Sequence, residues 1–203
     1  MIPFNPLDKR NLGISVANAM MLMEPVPLAA VPNQPGAGIY AIYYAGDFEP
    51  YQLLSDLNSG PEGPQYPIYV GKAIPEGGRT GLGLSDGVET FTLRNRLRNH
   101  QRNAVAAENL NVDHFSLRLL TVEPIFIPLG ETMLITQTGP VWNTVVPGFG
   151  SNAPGSGREG GKKSAWDTLH PGRSHSASLP SRTETPAHIA QEVREYLRSR
   201  HQV

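Results

Sequence analysis

Tyr40, Tyr69, Lys72, Arg96, His100 and Glu131 bring together a phenol pair, an ammonium, a guanidinium, an imidazole and a carboxylate. Each tyrosine lies two residues from a glycine, Gly38 or Gly71, where a phosphate or another backbone can approach closely. Arg96 and His100 are four positions apart and would share one face of a helix. Phosphodiester hydrolysis uses such a set. A hard cation on a carboxylate polarises the phosphate, cationic side chains neutralise the pentavalent transition state, and a base activates water. In that chemistry Glu131 suits the metal and Arg96 suits the phosphate. Plainer readings stand beside these: strand tyrosines are ordinary core residues, a glutamate in a first helical turn meets the helix dipole, and a lysine after a strand is solvated.

The elements that must position these residues can be read from pattern. A helix is predicted over about Leu12 to Glu24, followed by an extended arm spaced by Pro25, Pro27, Pro32 and Pro35. The β-branched and aromatic run from Gly38 to Tyr44 predicts a buried strand, and Pro67 to Lys72 a shorter one pairing antiparallel with it. The loop between them contains Gly60, Pro61, Gly63 and Pro64. Gly77, Gly78, Gly81, Gly83 and Gly87 make a loop too irregular to cradle phosphate as a strand-to-helix motif would. Thr90 is placed to cap a helix from about Phe91 to Ala107. Phe115 to Val122 predicts a third strand. Gly130-Glu131-Thr132 opens a helix that ends before Gly139-Pro140. From Val145 to Pro186 the chain is rich in Gly, Ser, Pro and His and reads as linker, and a last helix runs from Pro186 to Arg200.

The chain has 203 residues with 21 Gly and 19 Pro, enough for one loop-rich domain and unlike a helical bundle. It has no cysteine, so disulfides, zinc-thiolate sites and thiol nucleophiles are excluded, and any metal is held by oxygen or imidazole. No apolar run approaches the roughly 18 residues a membrane helix needs, and no leader pattern is visible, so the expectation is a cytoplasmic protein. The net charge of −1 taken alone argues against a nucleic-acid partner. Its distribution argues otherwise. Residues 1–70 carry 2 basic and 6 acidic groups, whereas residues 150–203 carry 8 and 5, and Arg94, Arg96, Arg98 and Arg102 bunch together. Such a cluster is either a solvated helix face or a binding surface.

The ordered set Gly38-Ile39-Tyr40, Tyr69-Val70-Gly71, Arg96, His100, Glu131 and Asn143 resembles the GIY-YIG nuclease superfamily, with YVG in place of the second motif. The segments 36–40, 67–73, 141–143, 154–158, 163–167 and 170–173 look closest to the GIY-YIG type II restriction endonucleases that cut CCGCGG. That resemblance implies an α/β (α+β) fold: a small, mainly antiparallel three-stranded central sheet flanked by helices. Residues 1–35 would form an N-terminal helix and arm, 36–145 the GIY-YIG catalytic core, and 146–203 a C-terminal loop and helix. It also implies that Tyr40 helps activate water, paired with His100 as the base, and that Tyr69 positions the nucleophile or the scissile phosphate. Arg96 would stabilise the phosphorane, Lys72 would add charge, Asn143 would brace the phosphate region, and Glu131 would hold a single Mg2+.

For a GC-only palindrome, guanine O6 and N7 call for arginine or similar donors. The C-terminal segment would supply Arg158, His170, Arg173 and Arg182, with Lys162 and Lys163 on phosphates. Double-stranded DNA, a second identical subunit and a cognate DNA methyltransferase are the implied partners. Two rival readings are a structure-selective or repair nuclease of the same superfamily, which would prefer branched DNA, and a non-catalytic DNA-binding module, which would bind without metal-dependent cutting.

Overall fold

The structure is a computed structural model that describes residues 5–74, 91–151 and 161–202. Thr90, the glycine-rich stretch from Gly77 to Gly87, and Arg158 lie outside the described residues. Helix α1 (Lys9–Met21) begins earlier than its apolar pattern suggests, because the Asp8 carboxylate accepts the Arg10 backbone N–H at 2.8 Å and caps it. The proline-spaced arm then does more than connect: Val26–Pro27 forms strand β1 against Leu117 and Ser116. Strands β2 (Gly38–Tyr44), β3 (Tyr69–Ala73) and β4 (Phe115–Thr121) follow the expected runs. The sheet order is β1-β4-β2-β3 with every pairing antiparallel, so it has four strands where three were expected. A proline is tolerated in β1 because that strand is an edge.

Strand β2 is buried on both faces and sorts its side chains by alternation. Ile39, Ala41 and Tyr43 face Ala17 and Met20 of α1 together with Ile127 and Leu134 of α4 (Ile127–Thr138). Tyr40, Ile42 and Tyr44 face Leu93 and Leu97 of α3 (Thr92–Ala106), Trp142, and residues of the C-terminal segment. Gly38 is required by crowding, since a Cβ there would press into the Leu120 carbonyl of β4.

Two helical pieces were not anticipated between β2 and β3: a 3-10 turn at Glu49–Tyr51 and α2 (Gln52–Asn58), whose Leu54 joins Tyr51 in the core. Helix α4 starts one turn before Gly130, with Pro128 in its first turn where the missing N–H costs nothing. Glu131 therefore lies beyond the first turn, and the helix-dipole reading gives way to a side-chain partner described below. Gly139 ends α4 in the left-handed region at φ 55°, as the Gly-Pro pair requires.

The segment read as linker is folded wherever it is described. After α5 (Val141–Thr144) come α6 (Ala165–Leu169) and α7 (Ser174–Ala177), and the last helix is α8 (Pro186–His201). Trp142, Val146, Phe149, Trp166, Leu169, Ile189, Val193 and Leu197 share one apolar cluster with Tyr40 and Tyr44. No helix among the described residues is long and apolar enough to cross a membrane.

Candidate active site

The sheet register decides how the site is assembled. Tyr40 pairs with Gly71 and Ile42 with Tyr69, so both phenols stand on the face covered by α3. Ile39 pairs with Lys72, which places the lysine on the opposite face, toward α4. The site thus wraps around the edge strand β3. Gly71 is needed opposite Tyr40 because a Cβ there would collide with the phenol oxygen and ring.

On the α3 face, Tyr40 Oη lies 2.6 Å from His100 Nε2, and both groups are buried. Burial, with Arg96 and Arg173 adding positive charge, pushes the His100 pKa well below its ordinary value and keeps the ring neutral. Burial and the neighbouring Tyr69 raise the Tyr40 pKa well above the ordinary phenol, against an opposing pull from Arg96. Tyr69 is raised by burial too, with Arg96 again opposing. Burial draws the Arg96 pKa down, but Tyr40 and Tyr69 outweigh it and the guanidinium is held more firmly charged. Its N–H groups serve both phenol oxygens, and Nη2 donates to the Gly150 carbonyl at 2.7 Å. A hydrogen-bonded chain results, running from Arg96 through the Tyr40 hydroxyl to the His100 lone pair. His100 Nδ1 has no partner among the described residues.

On the α4 face, Lys72 Nζ lies 2.5 Å from Glu131 Oε2, with both side chains partly open to water. Glu131 acts on the Tyr40 and Tyr69 phenols through space, so the two halves of the site are coupled. No group of three or more His, Cys, Asp or Glu side chains clusters among the described residues. Mg2+ takes one or two carboxylates and completes its shell with water and phosphate oxygens, so the Glu131 carboxylate is compatible with it.

Asn143 acts on β3 itself. Its Oδ1 accepts the Val70 N–H and its Nδ2 donates to the Val70 carbonyl, each at 2.8 Å. The residue grips the backbone between Tyr69 and Gly71, so its contact is with the strand that carries the phenol.

His170 and Arg173 are corrected by the structure. Expected to read DNA, they are 0% and 3% exposed. His170 Nε2 meets the Tyr51 hydroxyl at 2.7 Å and Nδ1 meets Asn109 Oδ1 at 2.9 Å, while Trp142 Nε1 donates to Tyr51 Oη at 2.8 Å. Arg173 pairs with buried Asp167 at 2.7 Å and lies over the Trp166 ring at 4.5 Å. Both have spent their donors inside the fold, which removes them from reach of a base edge. Lys162 is exposed, Lys163 is half-buried, and Arg182 pairs with Glu184 at 3.0 Å. Phe149, which sequence reasoning did not select, stacks on His100 at 4.6 Å and 18°. Its only local signal is an aromatic residue between two glycines.

An antiparallel sheet with the GIY and YVG segments on neighbouring strands, and their tyrosines converging on Arg and His of one helix, defines a nuclease of the GIY-YIG class. The family described as the Eco29kI GIY-YIG domain, a restriction endonuclease family, matches residues 33–197, and the chain belongs to it. No curated protein matches the chain closely enough to be reported as a relative.

Proposed function

We propose that this protein is a type II restriction endonuclease that hydrolyses phosphodiester bonds in both strands of double-stranded DNA at CCGCGG, with Mg2+ as cofactor. The observation that carries the reading is the Arg96, Tyr40, His100 chain standing against the Lys72–Glu131 pair around one edge strand. The CCGCGG site rests on the sequence resemblance, and a homodimer on the palindrome's twofold symmetry. Protection of the host genome would fall to a cognate DNA methyltransferase.

Glu131 would hold Mg2+, which when bound supplies charge to the scissile phosphate and the leaving oxygen. Tyr40 takes a proton from the attacking water as its own proton passes to His100 Nε2, a transfer the 2.6 Å contact makes direct. The water oxygen bonds to phosphorus as the bond to the leaving oxygen breaks. Arg96 neutralises the developing charge, Tyr69 orients the phosphate, Lys72 adds a cation, and Asn143 keeps β3 in place. Lys162 and Lys163 serve the DNA backbone outside the site.

The test is digestion of a plasmid containing CCGCGG in Mg2+, with sequencing of the ends. Discrete double-strand fragments ending within CCGCGG are expected. Cutting elsewhere overturns the specificity, and absence of cutting overturns the activity.

A further inference from the structure

Within the C-terminal segment, the short stretch 148–151 brings Phe149 and Gly150 onto the candidate catalytic side chains. The Phe149 ring stacks on His100 and meets Tyr69 edge-on at 5.2 Å, while the Gly150 carbonyl receives Arg96. This strap is itself gathered from behind. Arg173 donates to Gly148 O at 3.0 Å, Phe149 O at 3.2 Å and Ser151 O at 3.4 Å. Its Nε is anchored on Asp167 Oδ1 at 2.7 Å, and Asp167 Oδ2 receives the Ser164 hydroxyl at 2.6 Å. Asn103 Nδ2 adds a further bond to Phe149 O at 3.0 Å. Gly148 sits at φ 125°, and a Cβ there would run into Ser164, so the strap enters by a route that only glycine allows.

We propose that Arg173, anchored by Asp167, is a positioning residue: by collecting the strap carbonyls it holds Phe149 flat on His100 and the Gly150 carbonyl on Arg96. Arg173 touches neither catalytic side chain: its packing action passes through residues 148–151, while its charge alone reaches His100 through space. The guanidinium suits the task because its planar fork serves several acceptors at once, which a lysine ammonium does not match. With the strap seated, His100 is shut from water and its Nε2 is aimed at Tyr40. With it loose, water reaches the ring. The titratable and charged groups facing His100 are Tyr40 from β2, Tyr69 from β3, Arg96 from its own helix, and Arg173 behind the strap.

This inference rests on the nuclease reading, and the experiment separates the two. Arg173→Gln, Arg173→Lys and Phe149→Ala are prepared as full chains and checked for wild-type far-UV circular dichroism. The His100 ring is titrated by NMR with 13C-labelled histidine, its signal assigned by loss in His100→Gln. Cleavage of CCGCGG duplex is followed in parallel for kcat and KM. In Phe149→Ala, in Arg173→Gln and in Arg173→Lys, which keeps the charge at 173 but loses the planar fork, the His100 titration should move up toward the ordinary imidazole range. Their kcat should fall by about tenfold or more while KM stays within about threefold, and Arg173→Lys should not rescue. A folded Arg173→Lys with His100 titration and kcat unchanged would overturn the proposal. Should Arg173→Lys fail to fold, an unchanged Phe149→Ala would do the same. If wild type cuts no DNA the nuclease reading fails, and the NMR titration still decides the strap.

Discussion

Substituting Asn143 by alanine removes both bonds between α5 and the Val70 backbone. Among the described residues strand β3 pairs only with β2, so these Val70 groups point away from that pairing and Asn143 takes the place of a neighbouring strand. Each bond is worth about 1 kcal/mol net, and a backbone group left without a partner where water cannot follow costs about 1–3 kcal/mol. Val70 is fully buried, so the loss should fall at about 2–4 kcal/mol. For a chain of this size that corresponds to a fall in Tm on the order of 10 °C. Asn143→Asp keeps the acceptor for the Val70 N–H but sets a carboxylate against the Val70 carbonyl, and should be at least as damaging. Urea unfolding monitored by circular dichroism measures the effect, with an unchanged m-value showing that the native state is still compact. An Asn143→Ala protein within about 0.5 kcal/mol of wild type would refute the idea that this side chain holds β3.

The remaining expectations concern chemistry, charge and pH. Tyr40→Phe and Glu131→Ala should each lose at least about a hundredfold in cleavage rate, roughly 2.7 kcal/mol of transition-state stabilisation, and near-normal rates in single-turnover assays would remove that residue from the mechanism. Gly71→Ala drives a methyl into the Tyr40 phenol and should cost about 1–3 kcal/mol of stability along with activity, as read by urea unfolding and cleavage. Burial pushes His170 down from 6.5 to about 3 and lowers His100 in the same direction, so the unfolded chain takes up protons that the fold refuses. Stability should therefore be full above about pH 6.5 and fall as the pH drops toward 3, and His170→Gln should flatten that slope in unfolding series. Arg98 and Arg102 are exposed on α3, the helix that carries Arg96 and His100. Replacing both by glutamine should reduce the salt dependence of DNA binding by about 1.8 in log–log slope if each meets one phosphate, and an unchanged slope would make them solvated bystanders.

What the sequence determined by itself was local. The apolar and aromatic run of β2, the Gly-Pro stop of α4 and the four-residue spacing of Arg96 and His100 depend on neighbours in the chain, and they predicted element, end and face correctly. The order of Tyr40, Tyr69, Arg96, His100 and Glu131 pointed to one chemistry before any contact was known. Tertiary structure decided whether each polar residue meets water or the interior, because that depends on partners far along the chain. His170 and Arg173 looked like donors for DNA in a polar, loop-like segment, yet Tyr51, Asn109 and Asp167 satisfy them inside the fold. Val26–Pro27 is too short to signal a strand and becomes one only because β4 offers it an edge. Lys72 and Glu131, 59 positions apart, meet because the antiparallel register turns Lys72 away from Tyr40 and toward α4. The types of the candidate site residues are thus legible in the chain, and their arrangement around β3 comes from pairing register and packing, to which no local window has access.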